Sequence, residues 1–346
     1  MEDNKKNTVK KIIKNTSFFV ILIILTYYFI FRKMDRKGLQ EALLHTNIWF
    51  VLIAGVISTF HILFESINHY RNLSALGEKT TFKKCLKYGV VGFFFSAITP
   101  AATGGQPIQI YHMHKDNISY MHATISILIQ SFAYLTTMIT LAIIGYIVNF
   151  QYISSLGFIE YFFFIGIIVN SLITSISLIA MFSDKLSLKL LEFVCRIIAK
   201  INVDKANSIR EKLAIQLKEY HDSAKFIMSN KKIVLRTFLT TFMQLISYHS
   251  VAFFVFLALG IQGINYFKIM FLQAVLYLSV SMIPLPGTVG VNETGFSLLY
   301  TPLISTSLVD SAMLLTRGIS FYLLVVVTGI ILLVLSLTKK KNTNES

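Results

Sequence analysis

Long apolar runs constrain this chain more than any other feature of its sequence. The runs at 120–150, 158–182 and 312–337 are each long enough to cross a hydrocarbon core of roughly 30 Å as a helix. Only 14% of the residues are charged, against about 25% in soluble domains. Backbone in lipid must form its hydrogen bonds within a helix or a closed barrel. We therefore predict an all-α, polytopic integral membrane protein.

The chain has nine apolar runs, and because both termini are predicted to be cytoplasmic the number of crossings must be even, so we predict about eight membrane elements. The runs lie at 17–31, 47–64, 89–102, 120–150, 158–182, 233–259, 266–283, 296–304 and 312–337. Two of them, 89–102 and 296–304, are short and adjoin stretches rich in proline and glycine. Each of these could be a re-entrant hairpin or a crossing, and the sequence leaves both alternatives open. The polar residues from Glu65 to Arg71 are interpreted as a rim that ends the second span.

Basic residues predict the orientation and the domain boundaries. The net charge is +15, and membrane proteins concentrate Lys and Arg on cytoplasmic loops near anionic head groups. This explanation is favoured over nucleic-acid binding. We predict a basic cytoplasmic arm at 1–15, a transmembrane domain at 16–337 and a basic tail at 338–346. Within that domain, residues 183–232 are predicted to form an amphipathic, basic stretch on the cytoplasmic surface. Both termini are then cytoplasmic.

The cysteines and histidines indicate no metal centre. Cys85 and Cys195 are far apart and have no metal-ligand spacing. His112, His114 and His122 are interpreted as interfacial residues rather than as ligands. Neither a cofactor nor a metal is predicted. No motif for acyl transfer is present, so no catalytic residue is assigned.

Two proline- and glycine-rich stretches interrupt the apolar pattern, at Ser96–Pro107 and at Pro284–Gly295. Both contain Pro, Thr and Gly after an apolar run, and we align them on Pro100 and Pro284. Proline and glycine break helices, and paired broken segments in two halves of a chain are typical of transporter sites. A broken helix exposes backbone N–H groups that suit an anion such as phosphate. We therefore predict a two-half pseudo-repeat with a site at the breaks.

Two charged residues adjoin the second break. A charge within the membrane is expensive and is usually paired or functional. One hypothesis is a structural ion pair between Glu293 and Arg317. The other is that Arg317 contacts a lipid phosphate while Glu293 balances its charge or binds a cationic group.

These residues resemble the membrane family named for lysylphosphatidylglycerol synthase, the flippase-like domains of the bacterial multiple peptide resistance factor and its stand-alone relatives. The resemblance is carried by Thr99-Pro100 with Gly104-Gly105, by 284–287 with 290–293, and by Arg317, and it covers most of 15–337. Thr288 stands where the family often has Gly. Together with the breaks, the family resemblance implies a lipid head-group site. Its residues are Thr99, Pro100, Gly104, Gly105, Gln106, Pro284, Pro286, Gly287, Gly290, Asn292, Glu293 and Arg317.

The resemblance implies a protein of the bacterial plasma membrane that binds and translocates an anionic or lysylated phospholipid and contributes to cationic peptide resistance. One alternative is a phosphatidylglycerol lysyltransferase that uses lysyl-tRNA, so whether the chain is an enzyme stays open. We expect this chain to lack the soluble transferase domain of the full-length proteins. Another alternative is a non-catalytic membrane partner of a separate synthase. The chain could also associate with further copies of itself as a homo-oligomer.

Overall fold

The computed structural model describes residues 44–183 and 228–344, together with isolated positions between 189 and 226. The predictions for 1–15, for the first apolar run at 17–31 and for most of 183–232 lie outside the described residues. Within the described ranges the chain forms α-helices, short 3-10 turns and one π-helical turn, with no strand. The prediction of an all-α membrane protein is confirmed.

The helices up to the polar stretch are α1 (Ile48–Ala75), α2 (Phe82–Ala97), α3 (Gly105–Lys115), α4 (Tyr120–Val148), α5 (Phe150–Ser155) and α6 (Phe158–Phe182). Those after it are α7 (Lys231–Ala258), α8 (Tyr266–Ser281), α9 (Val291–Tyr300), α10 (Thr306–Arg317) and α11 (Leu323–Asn344). A π-helical turn at Gly318–Tyr322 joins α10 to α11. By length and composition, five spans within the described residues could cross a membrane: Ile48–Ala75, Tyr120–Val148, Phe158–Ile176, Lys231–Ala258 and Leu308–Ser336.

Helix α1 extends beyond its predicted end, because the polar residues interpreted as a rim are part of the same helix. His69 is 1% exposed, and buried polar groups need hydrogen-bond partners. Neighbouring helices provide them: Asn68 Nδ2 donates to Gln130 Oε1 at 2.8 Å and to Thr241 Oγ1 at 2.9 Å. The prediction that the second span ends near Phe64 is therefore wrong, since the helix continues to Ala75 and several of its buried polar side chains bond to neighbouring helices.

Both breaks form helical hairpins. At the first, Gln109 Nε2 of α3 donates to Tyr88 O of α2 at 3.1 Å, so α3 runs back along α2. Asp116, just past α3, accepts a hydrogen bond from the Tyr88 hydroxyl at 2.8 Å and also pairs with Lys87. Burial raises the pKa of Asp116, but these two donors outweigh it and hold the pKa below its usual value. At the second, Tyr300 Oη donates to Ile269 O at 3.3 Å, and α9 runs back along α8.

The two halves repeat one order of elements. A 28-residue helix (α1 or α7) is followed by a 16-residue helix (α2 or α8). A 3-10 turn, a short helix and a long span follow in each half, and in the first half α5 and α6 come after this repeated set. Helix α4 packs on α8, and reciprocally α11 packs on α2. The predicted two-half pseudo-repeat therefore describes the element order and packing of these ranges.

Helices α1 and α7 form the most extensive helix pair, and they are antiparallel. Asn47 N, at the start of α1, donates to Ala258 O, at the end of α7, at 2.8 Å. At the opposite ends, Thr237 Oγ1 donates to Asn72 Oδ1 at 3.2 Å. Equivalent helices that run in opposite directions are the pattern of an inverted repeat, which relates two halves by an axis in the membrane plane.

Helix α8 lies at the centre of the largest buried apolar cluster, between α4 and α6. Two glycines permit this close packing. A Cβ at Gly145 of α4 would lie 2.7 Å from Phe271 O, and a Cβ at Gly166 of α6 would lie 2.6 Å from Leu278 O. The backbones therefore approach more closely than a larger residue allows.

Candidate functional site

The two breaks share one 3-10 turn. Pro100 and Pro286 each begin a 3-10 turn whose second residue is left-handed: Ala101 has φ 51° and Gly287 has φ 57°. In both turns the third residue is left-handed as well, with φ 55° at Ala102 and 51° at Thr288. The alignment of Pro100 with Pro284 is therefore replaced by Pro100 with Pro286. Proline at the first position of a turn has the required φ already fixed, which explains why it marks the register.

The two 3-10 turns contact each other, as the prediction of a paired site requires. Beside them lies a cavity of about 490 Å³. Residues of both turns line it, with side chains from α1, α2, α3, α4, α6, α7 and α8. The polar part of its lining includes His61, Glu65, Gln109, Tyr134, Tyr248 and Arg317.

Arg317 and Glu293 form a buried ion pair beside this cavity. Arg317 Nε donates to Glu293 Oε1 at 2.9 Å, and the two side chains are 4% and 3% exposed. Arg317 Nη2 donates to Gly287 O at 2.8 Å, and Phe321 stacks against the guanidinium at 4.5 Å from its ring centroid. Tyr322 Oη donates to Glu293 Oε1 at 3.1 Å. The pair thus ties α10 to the second break.

Glu293 also closes the start of α9. Its Oε2 accepts a hydrogen bond from Gly290 N at 2.7 Å, and a carboxylate is favourable at the N-terminus of a helix. At the first break, Thr99 Oγ1 accepts from Gly104 N at 2.9 Å. The N–H groups of Gly104 and Gly290, which the sequence predicted to be available for an anion, are therefore used within the protein.

Three of the predicted site residues, Gln106, Gly287 and Arg317, line the cavity among the residues described. The other predicted residues are not part of its lining: Thr99, Pro100, Gly104, Gly105, Pro284, Pro286, Gly290, Asn292 and Glu293. Gly105 has a packing role instead, since a Cβ there would lie 2.0 Å from Ser96 Oγ and 2.7 Å from Gly92 O. Their part in binding a lipid stays a prediction.

Sequence reasoning missed the α1 side of the cavity. His61, Glu65 and His69 all line it, and they lie four residues apart, on one face of the helix. The signal was present, because an ionisable residue within an apolar run is a candidate functional group. Glu65 and His69 were missed because the span was ended near Phe64, whereas His61 lay within the predicted span and was not singled out.

Two of the histidines that were interpreted as interfacial, His114 and His122, have ordinary contacts. His122 Nδ1 lies 2.7 Å from Glu78 Oε1, and the His114 ring stacks on Tyr120 with centroids 3.7 Å apart. In the part of the chain that the structure describes, no group of three or more His, Cys, Asp or Glu side chains is arranged to hold a metal ion.

Fold and site define a class: a polytopic α-helical membrane protein with two inverted, broken-helix halves and a polar cavity where the breaks meet. The chain belongs to the family described as the lysylphosphatidylglycerol synthase TM region, whose sequence profile matches residues 16–328. It is 24% identical over 308 residues to the UPF0104 membrane protein PH1989 of Pyrococcus horikoshii, covering 85% of this chain and 89% of that protein. It is also 20% identical over 299 residues to a UPF0104 membrane protein of Archaeoglobus fulgidus, covering 85% and 88%.

Proposed function

We propose that this protein binds the phosphate-bearing head group of an anionic or lysylated phospholipid in the cavity and carries it across the bilayer. The observation that supports this most is Arg317, a buried cation at the wall of a polar cavity where two broken helices meet. Its Nε and Nη2 are fixed by Glu293 and Gly287, and Nη1 takes part in neither bond. Arginine is well suited to phosphate because its planar fork donates several hydrogen bonds.

The size of the cavity favours a head group over a whole lipid. Ligand sites commonly enclose about 300–1,000 Å³, and about 490 Å³ accommodates a glycerol phosphate with a substituent. The acyl chains would remain in the hydrocarbon, where apolar chains are most stable. As part of the same proposal, the protein acts in the bacterial plasma membrane with cytoplasmic termini and supports resistance to cationic peptides.

Vesicles reconstituted with the purified chain test this function. Labelled phosphatidylglycerol should redistribute between leaflets without lysyl-tRNA. Formation of lysyl-phosphatidylglycerol from added lysyl-tRNA would contradict the proposal in favour of the transferase. If the vesicles show neither lipid redistribution nor lysyl-phosphatidylglycerol formation, the result would favour a non-catalytic partner of a separate synthase.

A test of whether Arg317 binds the lipid requires a variant that leaves no unpaired charge. Replacing the pair together, as Glu293→Gln with Arg317→Gln, should abolish redistribution while the protein still inserts and unfolds cooperatively. Glu160→Gln is the matched control, because Glu160 is a carboxylate that hydrogen-bonds Tyr146 and Ser154 away from the cavity lining. Full redistribution by the paired variant would show that Arg317 does not bind the lipid.

A further inference from the structure

A row of ionisable side chains on α1 faces the cavity and has no role in the proposed phosphate contact. His61, Glu65 and His69 follow at intervals of four residues, and each lines the cavity. Carboxylate and imidazole chains inside membranes commonly carry protons. Their arrangement therefore needs a physical explanation of its own.

Glu65 is held in place by a neighbouring amide. Gln109 Nε2 donates to Glu65 Oε1 at 2.7 Å. Gly92 makes room for this contact, because a Cβ there would lie 1.9 Å from Gln109 Nε2. His69 Nε2 lies 3.5 Å from the same carboxylate oxygen, longer than a normal N–H···O hydrogen bond. The Glu65 side chain is 16% exposed, so its carboxylate is partly accessible from the cavity.

The two histidines retain unused capacity for a proton. Among the described residues, His61 Nδ1 and His69 Nε2 are buried and have no hydrogen-bond partner. The His69 ring is oriented from its other nitrogen, since Nδ1 lies 3.1 Å from Ser126 Oγ. A buried polar atom without a partner is unfavourable by about 1–3 kcal/mol, and a proton shared with Glu65 would relieve this at His69.

The other titratable groups near the row are three phenols, one imidazole and the ion pair. Tyr134 of α4 and Tyr277 of α8 hydrogen-bond each other at 2.8 Å, and Tyr248 of α7 packs on the His61 ring with centroids 5.2 Å apart. His249 of α7 packs on Tyr277 at 5.6 Å. Gly92 of α2 and Gln109 of α3 do not titrate. Arg317 is the cation of the cavity lining, and Glu293 already neutralises it.

Charge balance therefore couples the two sides of the cavity. With neutral histidines, Glu65, Glu293 and Arg317 together carry one net negative charge. A phosphate diester would add a second negative charge in a region of low dielectric, where repulsion between like charges is strong. Uptake of one proton by the Glu65–His69 pair restores the original charge.

We propose that Glu65, with His69 and His61, is a proton-binding site that takes up one proton from the aqueous phase when an anionic head group enters the cavity and releases it when the head group leaves. This rests on the proposed function. Phosphate binding and proton binding favour each other, and by linkage the coupling is reciprocal. Affinity for the head group should then rise as the pH falls, by up to about tenfold per pH unit for one proton.

Calorimetry on the detergent-solubilised protein tests this with dihexanoyl phosphatidylglycerol as the probe. Titrations between pH 5 and 8, in buffers of different ionisation enthalpy, should reveal uptake of about one proton per bound lipid. Glu65→Gln should bind the probe with little dependence on pH and no proton uptake. Glu160→Gln should behave like the wild type. His69→Gln provides a second variant of the site if Glu65→Gln does not fold.

The wild-type titration alone can overturn the inference. Binding of the probe without proton uptake and with a constant affinity would refute the proton site and leave the proposed function standing. Proton uptake that persists in Glu65→Gln would also refute it. If the wild type does not bind the probe at any pH, both the proton site and the proposed lipid function are refuted.

Discussion

The two breaks begin with the same backbone turn and have very different side chains. In each, a proline begins a 3-10 turn, a left-handed residue follows, and a glycine four residues after the proline precedes the next helix: Gly104 in the first, Gly290 in the second. After the turn the backbones diverge: Thr103 is helical with ψ -18° and Val289 is extended with ψ 134°, while φ is -83° at Gly104 and 89° at Gly290. Ala101 occupies the left-handed position in the first break and Gly287 in the second. The shared geometry therefore does not depend on glycine at that position.

The difference lies in the contact that each hairpin makes with the following long span. In the first half, Gln106 Nε2 donates to Ser131 Oγ at 2.8 Å. In the second half, Glu293 pairs with Arg317. Ser131 follows Gly104, and Arg317 follows Gly290, by 27 residues in each case. Ser131 and Arg317 are therefore equivalent positions, and they contact their hairpins through a neutral hydrogen bond in one half and an ion pair in the other.

The largest expected effect is the loss of one member of the ion pair. Glu293→Gln alone leaves Arg317 buried and unpaired, and such a change destabilises a protein by about 3–5 kcal/mol. Arg317→Gln should do the same. The double replacement should destabilise by less than the sum of the two, because it leaves no unpaired charge. Denaturant unfolding in micelles measures all three, and strictly additive values would refute the coupling.

The next largest effect on stability is expected from substitutions at the left-handed second residue of each 3-10 turn. Gly287→Ala puts a Cβ 2.0 Å from Phe321 Cζ at φ 57°, and overpacking with backbone strain should cost about 2–4 kcal/mol. Ala101→Gly removes a strained side chain at the equivalent position and should stabilise by about 0–1 kcal/mol. The thermal midpoints of the two variants should move in opposite directions. Equal destabilisation would show that the two turns are not equivalent.

A smaller effect is expected where the first hairpin closes. Gly105→Ala places a Cβ 2.7 Å from Gly92 O, so α3 must move away from α2, at about 1–3 kcal/mol. Gly55→Ala is the matched control, because nothing lies within 4 Å of its Cβ position and alanine favours a helix. It should be neutral or stabilising. If both variants unfold at the same denaturant concentration, the close approach of α2 and α3 does not contribute to the stability of the protein.

The smallest effect on stability should come from removing the neutral hydrogen bond between Gln106 and Ser131. Gln106→Ala removes the hydrogen bond to Ser131 at an exposed position, so the loss should be about 0.5–1 kcal/mol at most. The same unfolding assay measures it. A loss of stability as large as that of Glu293→Gln would contradict the conclusion that the charged contact stabilises its hairpin more than the neutral one does.

The sequence determined much of the architecture. Apolar length predicted α6 at Phe158–Phe182, and proline with glycine located both hairpins. Local chemistry also sets several helix starts, where Asn47, Thr81 and Ser119 accept hydrogen bonds from the first turn. These features are local, so they can be read from neighbouring residues. The register of the two breaks was missed by two residues, because Pro284 and Pro286 are equally visible in the sequence and only the left-handed φ selects the second.

Only the tertiary structure decided which groups face each other. Glu65 lies 44 residues from Gln109 along the chain and 2.7 Å from it in space. Glu293 and Arg317 could be named from the sequence, yet their pairing, and the use of Glu293 to close α9, depend on how α10 packs. The apolar pattern fixes which segments become helices, because each helix forms its own backbone hydrogen bonds. It does not fix which polar faces meet, since that depends on long-range packing between helices.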